Sequence, residues 1–175
     1  MTAMAANSPQ EKVLFDFSNG TAPWPSIDDR VMGGRSVSRM RMDNGVAVFE
    51  GNVTLANNGG FASLRSRSHN HQLRGYDGLV LRVRGDGKRY SFRLRTNRSL
   101  DGVSYQAPLM AMAGGWSEVW LKFSDFQPVF HGRRVRDYPP LDPSSIQTYG
   151  IIISQKQTGP FRLEIDWIKA FPNER

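Results

Sequence analysis

Apolar side chains recur at every second residue along most of this 175-residue chain, a period that fits β-strands and does not fit amphipathic helices. Leu79, Leu81 and Val83 alternate with Val80, Arg82 and Arg84, and Tyr90, Phe92 and Leu94 with Ser91, Arg93 and Arg95. Val119, Leu121 and Phe123 alternate with Trp120, Lys122 and Ser124. Toward the end, Phe161, Leu163, Ile165 and Trp167 alternate with Arg162, Glu164, Asp166 and Ile168, which assigns Trp167 to a core. The run YGIIIS (149–154) is apolar on both faces, the pattern of a central strand covered on both sides. With 17 glycines and 10 prolines to supply turns, the pattern describes one all-β domain, a sandwich or a barrel.

The segment RVRGDGKRYSFRLR (82–95) admits three readings. A phosphate cradle needs a helix after the glycine-rich loop, and here a strand pattern follows with the third glycine missing, so that reading fails. An adhesion tripeptide at Arg84-Gly85-Asp86 would need an exported protein, and nothing in the chain suggests export. The remaining reading is a β-hairpin: strands 79–84 and 90–95 joined by the loop GDGKR. A hairpin puts Arg82, Arg84, Arg93 and Arg95 on one face, where like charges repel unless Glu164 and Asp166 or an anionic partner compensates.

Signatures of catalysis are absent. There is no cysteine, which excludes disulfides, thiolate metal sites and a cysteine nucleophile. Neither a Gly-x-Ser-x-Gly elbow nor a His-Glu-x-x-His occurs, and His69 and His71 lack a third metal ligand. Asp28 and Asp29 are adjacent, so their carboxylates point apart. Lys and Arg outnumber Asp and Glu by 23 to 16, a net charge of +7 that favours an acidic partner. No apolar run reaches a membrane-spanning length, and the start MTAMAANSPQEK lacks the pattern of a secretory or transit leader. These features place the protein in the cytoplasm, at most peripheral to a membrane, with no required cofactor.

Five phrases occur in order: DDRVMGGRS (28–36), FEGNVTLANNGGFASLRS (49–66), VRGDGKRYSFRLRT (83–96), HGRRVRDYPPLDPSSI (131–146) and GPFRLEIDWI (159–168). Together they resemble the CIA30 family, named for complex I intermediate-associated protein 30. The resemblance runs over 14–171, leaving short tails at 1–13 and 172–175. It implies a galactose-binding-like jelly-roll β-sandwich, related in shape to carbohydrate-binding modules. It also implies a chaperone-like assembly factor for a respiratory NADH:ubiquinone oxidoreductase, with a protein client among the subunits or intermediates of a respiratory or photosynthetic membrane complex. Mitochondrial members carry a long N-terminal extension, so this chain resembles a bacterial or cyanobacterial stand-alone type. No catalytic residue is carried over.

Two other functions stay open: carbohydrate binding on the concave sheet face, with Trp120 stacking on a sugar, and RNA association through the arginine face. Candidate binding positions are Asp29, Arg30, Met32, Gly33 and Gly34 in the first phrase and Asn58, Gly59 and Gly60 in the second. To these are added Arg82, Arg84, Asp86, Arg93 and Arg95 around the glycine-rich loop, Trp120, and Arg133. The phrase DDRVMGGRS is expected to form an ordered loop, because Gly33 and Gly34 permit positive φ and Asp29 and Arg30 can satisfy loop backbone groups or each other.

Overall fold

A computed structural model describes residues 10–97 and 102–173. Most of the tail 1–13, and residues 174–175 of the tail 172–175, lie outside the described residues. Twelve strands follow in chain order: β1 (Lys12–Asp16), β2 (Val37–Asp43), β3 (Val46–Val53), β4 (Ala62–Arg65), β5 (Tyr76–Arg84) and β6 (Arg89–Arg95). Then come β7 (Ser104–Met110), β8 (Ser117–Lys122), β9 (Gln127–Phe130), β10 (Arg133–Arg134), β11 (Thr148–Ile153) and β12 (Gly159–Pro172). They form two antiparallel six-stranded sheets. The first runs β2-β3-β12-β5-β8 with β1 also paired to β12, and the second runs β10-β9-β7-β6-β11-β4.

The period-two pattern supplies one apolar face per sheet, and the two faces pack together. Phe49, Leu79, Leu81, Val83, Leu163, Ile165 and Ile168 come from the first sheet. Leu64, Phe92, Leu94, Leu109, Ile151 and Ile153 come from the second, and all thirteen are fully buried. Beside them, Phe15 of β1 meets Trp24, Tyr149 and His71 edge-on, closing one end of the core.

The expected hairpin does not exist. β5 pairs with β12 and β8 in the first sheet, whereas β6 pairs with β7 and β11 in the second. Residues 85–88 therefore arch across the sandwich from one sheet to the other. Alternation alone cannot separate the two cases, since hairpin and arch both turn Leu81, Val83, Phe92 and Leu94 inward. They differ in where the polar residues go. In the arch, Arg82 and Arg84 face outward from one sheet, and Arg93 and Arg95 face outward from the other.

The arch is tied to its neighbour, the β7–β8 connection, which crosses the same gap. Gly85 and Gly87 donate to the carbonyls of Met112 and Ala111 at 3.2 and 3.3 Å. A Cβ on Gly85 would stand 2.2 Å from the Ala111 carbonyl oxygen, so only glycine allows the two crossings to run side by side. A true hairpin lies elsewhere: β2 and β3 close through Asn44-Gly45, both at positive φ, the two-residue turn that matches strand twist.

Two further expectations are corrected. A bulge in β12 between Ile165 and Trp167 shifts the register against β5 by one residue. Ile168 then points into the core, and Trp167 turns outward beneath the Lys169 ammonium, 4.1 Å from the ring. The segment YGIIIS forms β11 between β6 and β4, but among the described residues no third layer covers it; only Tyr149, Ile151 and Ile153 reach the core.

Candidate functional site

The loop DDRVMGGRS is ordered around its two carboxylates. Asp29 is almost fully buried and accepts from the Ser36 amide at 2.8 Å and the Ser36 hydroxyl at 2.5 Å. It also accepts from the Gly60 amide at 2.7 Å and the Phe61 amide at 3.2 Å. Burial raises the carboxyl pKa, but the Ser36 hydroxyl and these amides outweigh it, and the net position is below the ordinary value. Asp28 turns the other way, to the Ser38 amide and hydroxyl and the Ser63 amide at 2.9, 2.5 and 3.0 Å.

Gly34 and Gly59 flank Asp29 because a Cβ on either would come within 2.5 Å of its carboxylate. Gly33, at φ 87°, ends the 3-10 turn Asp29–Met32. The structure thus gathers Asp29, Gly33, Gly34, Gly59 and Gly60 into one clasp that joins two chain segments, with Arg30 exposed at its edge. The side chains of Met32 and Asn58 lie outside the described residues.

Asp86 is also turned inward. It accepts from the Arg162 amide at 2.8 Å, the Lys88 amide at 3.0 Å and the Tyr90 hydroxyl at 3.0 Å, pinning the arch to β12. Burial, then the charge of Asp86, pushes the Tyr90 phenol above its ordinary value.

The outer face of the first sheet is a network of ion pairs. Arg82 reaches Asp166 at 3.2 Å, and Arg84 pairs closely with Glu164, which also accepts from Arg162 at 3.0 Å. Arg162 lies 3.8 Å from Glu50, itself paired with Arg39 at 3.2 Å and Arg41 at 2.5 Å. Arg84, with Arg162 behind it, holds the Glu164 carboxyl below its ordinary value against the opposing effect of burial. Arg82 and Arg84 also stack on Trp116, 4.8 and 5.0 Å from the ring. The compensation sought from Glu164 and Asp166 is therefore real for Arg82 and Arg84. Trp120 is 53 % exposed on this same face, at the edge strand, with Phe171 4.9 Å away.

The outer face of the second sheet is chemically opposite. Its six strands contain Arg65, Arg89, Arg93, Arg95, Arg133 and Arg134, and no Asp or Glu. Gly150 pairs with Arg65 on one side and Arg93 on the other, so a position without a side chain separates two guanidiniums. Arg95, opposite Thr148, is buried and donates to the Gly102 carbonyl at 2.9 Å. The row continues from Arg93 to Gln106 on β7 and Gln127 on β9. Arg134 reaches Gln127 at 2.7 Å, beside a cleft of about 590 Å³ lined by Arg136, Asp137 and Tyr138. Arg133 sits across from Phe130, on the other side of the β9–β10 ribbon from Arg134.

Arg93 is the charge under most stress here. Burial, then the charges of Arg95 and Arg65, pulls its pKa down to about 9. Among the described residues no carboxylate pairs with it. Sequence reasoning singled out Arg93 and Arg95 but missed Arg65, Gly150, Gln106 and Gln127. The available signal was the absence of any acid from six strand segments, which shows only once the strands are sorted by sheet. Among the described residues no group of three His, Cys, Asp or Glu could hold a metal ion, and no helix is long and apolar enough to cross a membrane.

This architecture is an all-β, galactose-binding-like jelly-roll sandwich. Two solved structures share it: the family 11 carbohydrate-binding module from Clostridium thermocellum, in complex with a β-1,3-1,4-mixed-linked tetrasaccharide, and a family 30 module from the same organism. The first aligns over 93% of this chain and 95% of its own with a TM-score of 0.66 and 18% identity. The second aligns over 95% and 100%, at 0.60 and 13%. At such identities the likeness concerns the fold. The sequence itself goes further: residues 13–165 match the family described as complex I intermediate-associated protein 30, and the chain belongs to the CIA30 family.

The mouse mitochondrial complex I intermediate-associated protein 30 is 31% identical over 189 residues, covering 93% of this chain and 56% of the mouse protein. A probable counterpart in Caenorhabditis elegans is 28% identical over 158 residues, 79% of this chain and 46% of its own. The chain spans about half the length of these curated relatives.

Proposed function

We propose that this protein is a non-enzymatic binding module that assists assembly of a membrane electron-transfer complex of the NADH dehydrogenase type. It engages protein intermediates from the cytoplasmic side and stays peripheral to the membrane. Membership of the CIA30 family over nearly the whole sandwich carries this reading. The structure is compatible with it in one respect: the second sheet carries the exposed Arg89, Arg133 and Arg134, suited to a reversible client because exposed charge contacts are individually weak.

Carbohydrate binding, suggested by the fold of the family 11 module, is disfavoured by the same face. Of its strand aromatics only Phe130, at the end of β9, is exposed, and sugar recognition relies on rings to stack on. Affinity capture with a tagged copy from the native host, followed by mass spectrometry, tests the proposal. Enrichment of NADH dehydrogenase subunits is expected. Recovery of RNA-bound complexes or polysaccharide in their place would overturn it.

A further inference from the structure

Five strands stand at sheet edges, β1, β2, β4, β8 and β10, and four of them are protected against further pairing. β1 carries a bulge between Val13 and Phe15, which breaks its ladder. β4 is covered by 25–27, where the Ile27 amide donates to the Ser63 carbonyl and the Arg65 amide to the Pro25 carbonyl. β10 is two residues long. β2 is guarded by charge, because two copies joined antiparallel about Met40 would set Arg39 against the partner's Arg41.

β8 has none of these guards. It pairs with β5 on one side, and among the described residues no strand pairs with the other. Along that open side every second backbone N–H and C=O is free to meet a further strand. Glu118, Trp120 and Lys122 alternate on the outer face, and all three are exposed. Neither Glu118 nor Lys122 makes an ion pair among the described residues. Val119, which faces inward, stays half-buried at the rim of the core.

We propose that two copies of this chain join antiparallel through β8, about a twofold axis at Trp120, so that the first sheet continues from one copy into the other. The strand's own order of charges selects a second copy as the occupant. Pairing centred on Trp120 sets Glu118 opposite the partner's Lys122, and the twofold repeats that ion pair on the far side of the axis. The two Trp120 rings then meet at the centre, and the partner's Leu121 stands across from Val119. Moving the axis to Val119 or Leu121 sets Trp120 opposite a charge and loses both ion pairs, so the charges also choose the register. One strand pairing buries little surface, so the dimer forms and separates with concentration.

The test is sedimentation velocity on the full chain at low salt, over about a hundredfold range of concentration. The wild-type chain should pass from monomer to dimer. Glu118→Lys or Lys122→Glu alone makes both cross-strand pairs like-charged and should weaken self-association about tenfold or more. Mixing the two variants restores opposite charges at both pairs and should give a heterodimer of wild-type strength. Placing both substitutions in one chain should restore the homodimer. Glu11→Lys and Lys156→Glu change the net charge equally away from β8 and should leave association unchanged.

A wild-type chain that stays monomeric throughout would overturn the proposal; if its capture of client subunits is then lost with Glu118→Lys, the edge receives a client strand in place of a second copy. A dimer insensitive to both single substitutions, or one lost in them without rescue in the mixture, would also overturn it. If either single variant fails to fold, the double variant decides: a monomer overturns the proposal, and a dimer that weakens in concentrated salt supports it. Every arm with the purified chain reads self-association, so its outcome is independent of the assembly reading.

Discussion

One carboxylate, that of Asp29, organises the most distinctive loop in the chain. Four donors from Ser36, Gly60 and Phe61 fix it in place, so it cannot move aside for a new neighbour. Gly34→Val would force a side chain into that carboxylate and should cost more stability than Ser36→Ala, which removes one hydroxyl. The Ser36 change should itself cost about 1–3 kcal/mol, because it leaves Asp29 and the Thr54 amide short of a partner in a buried site. Urea denaturation of both variants checks the order. Negligible effects from both would mean that the loop is mobile. The order of this loop was legible in its glycines and aspartates. Its inward-facing Asp29 was not, because only the fold brings 60–61 beside 29.

His71 provides a pH-dependent counterpart at the residue scale. Burial, then the charges of His69 and Lys12, pulls its pKa down from 6.5 to about 4, so the folded protein resists its protonation. The unfolded chain takes up that proton first. Stability should therefore fall as pH drops from about 6.5 to 4. His71→Asn should flatten the melting temperature across that window, and an unchanged slope would remove His71 as the cause.

At the scale of elements, alternation showed which residues face inward except past the β12 bulge, where Ile168 and not Trp167 enters the core, and it left the pairing of strands undetermined. β5 and β6 look like a hairpin because a short glycine-rich connection serves equally for a turn within a sheet and an arch between sheets. The β12 bulge was hidden for a related reason. A single extra residue at Asp166 reverses the alternation, and the local sequence DWI carries no glycine or proline to announce it. The ion pairs of the first sheet depend on this arrangement, since Asp166 and Glu164 then stand beside Arg82 and Arg84 on β5. Glu164→Gln should destabilise by about 1 kcal/mol at low salt, and less in concentrated salt, where part-exposed pairs are screened. A penalty that does not change with salt would mean that Glu164 acts through packing and not through charge.

For the whole molecule, the two sheets divide the charge: arginines pair with acids on the outer face of the first, and the six strands of the second contain arginines but no Asp or Glu. The sandwich class and the family resemblance were both legible from strand period and five ordered phrases. The division between faces was not, since it depends on which sheet each strand joins. No metal-ligating cluster occurs among the described residues, so EDTA should leave the melting temperature within a few degrees of its starting value. A large drop would reveal a structural cation.

A role in assembly is tested most directly by the amount of finished complex. The measurement is in-gel NADH dehydrogenase activity after native electrophoresis of membranes from the source organism, with the coding sequence deleted and then restored. Deletion should lower the full-size complex and accumulate smaller intermediates, and the wild-type chain should reverse both effects. Full-size complex at wild-type levels, with no intermediates after deletion, would contradict the account.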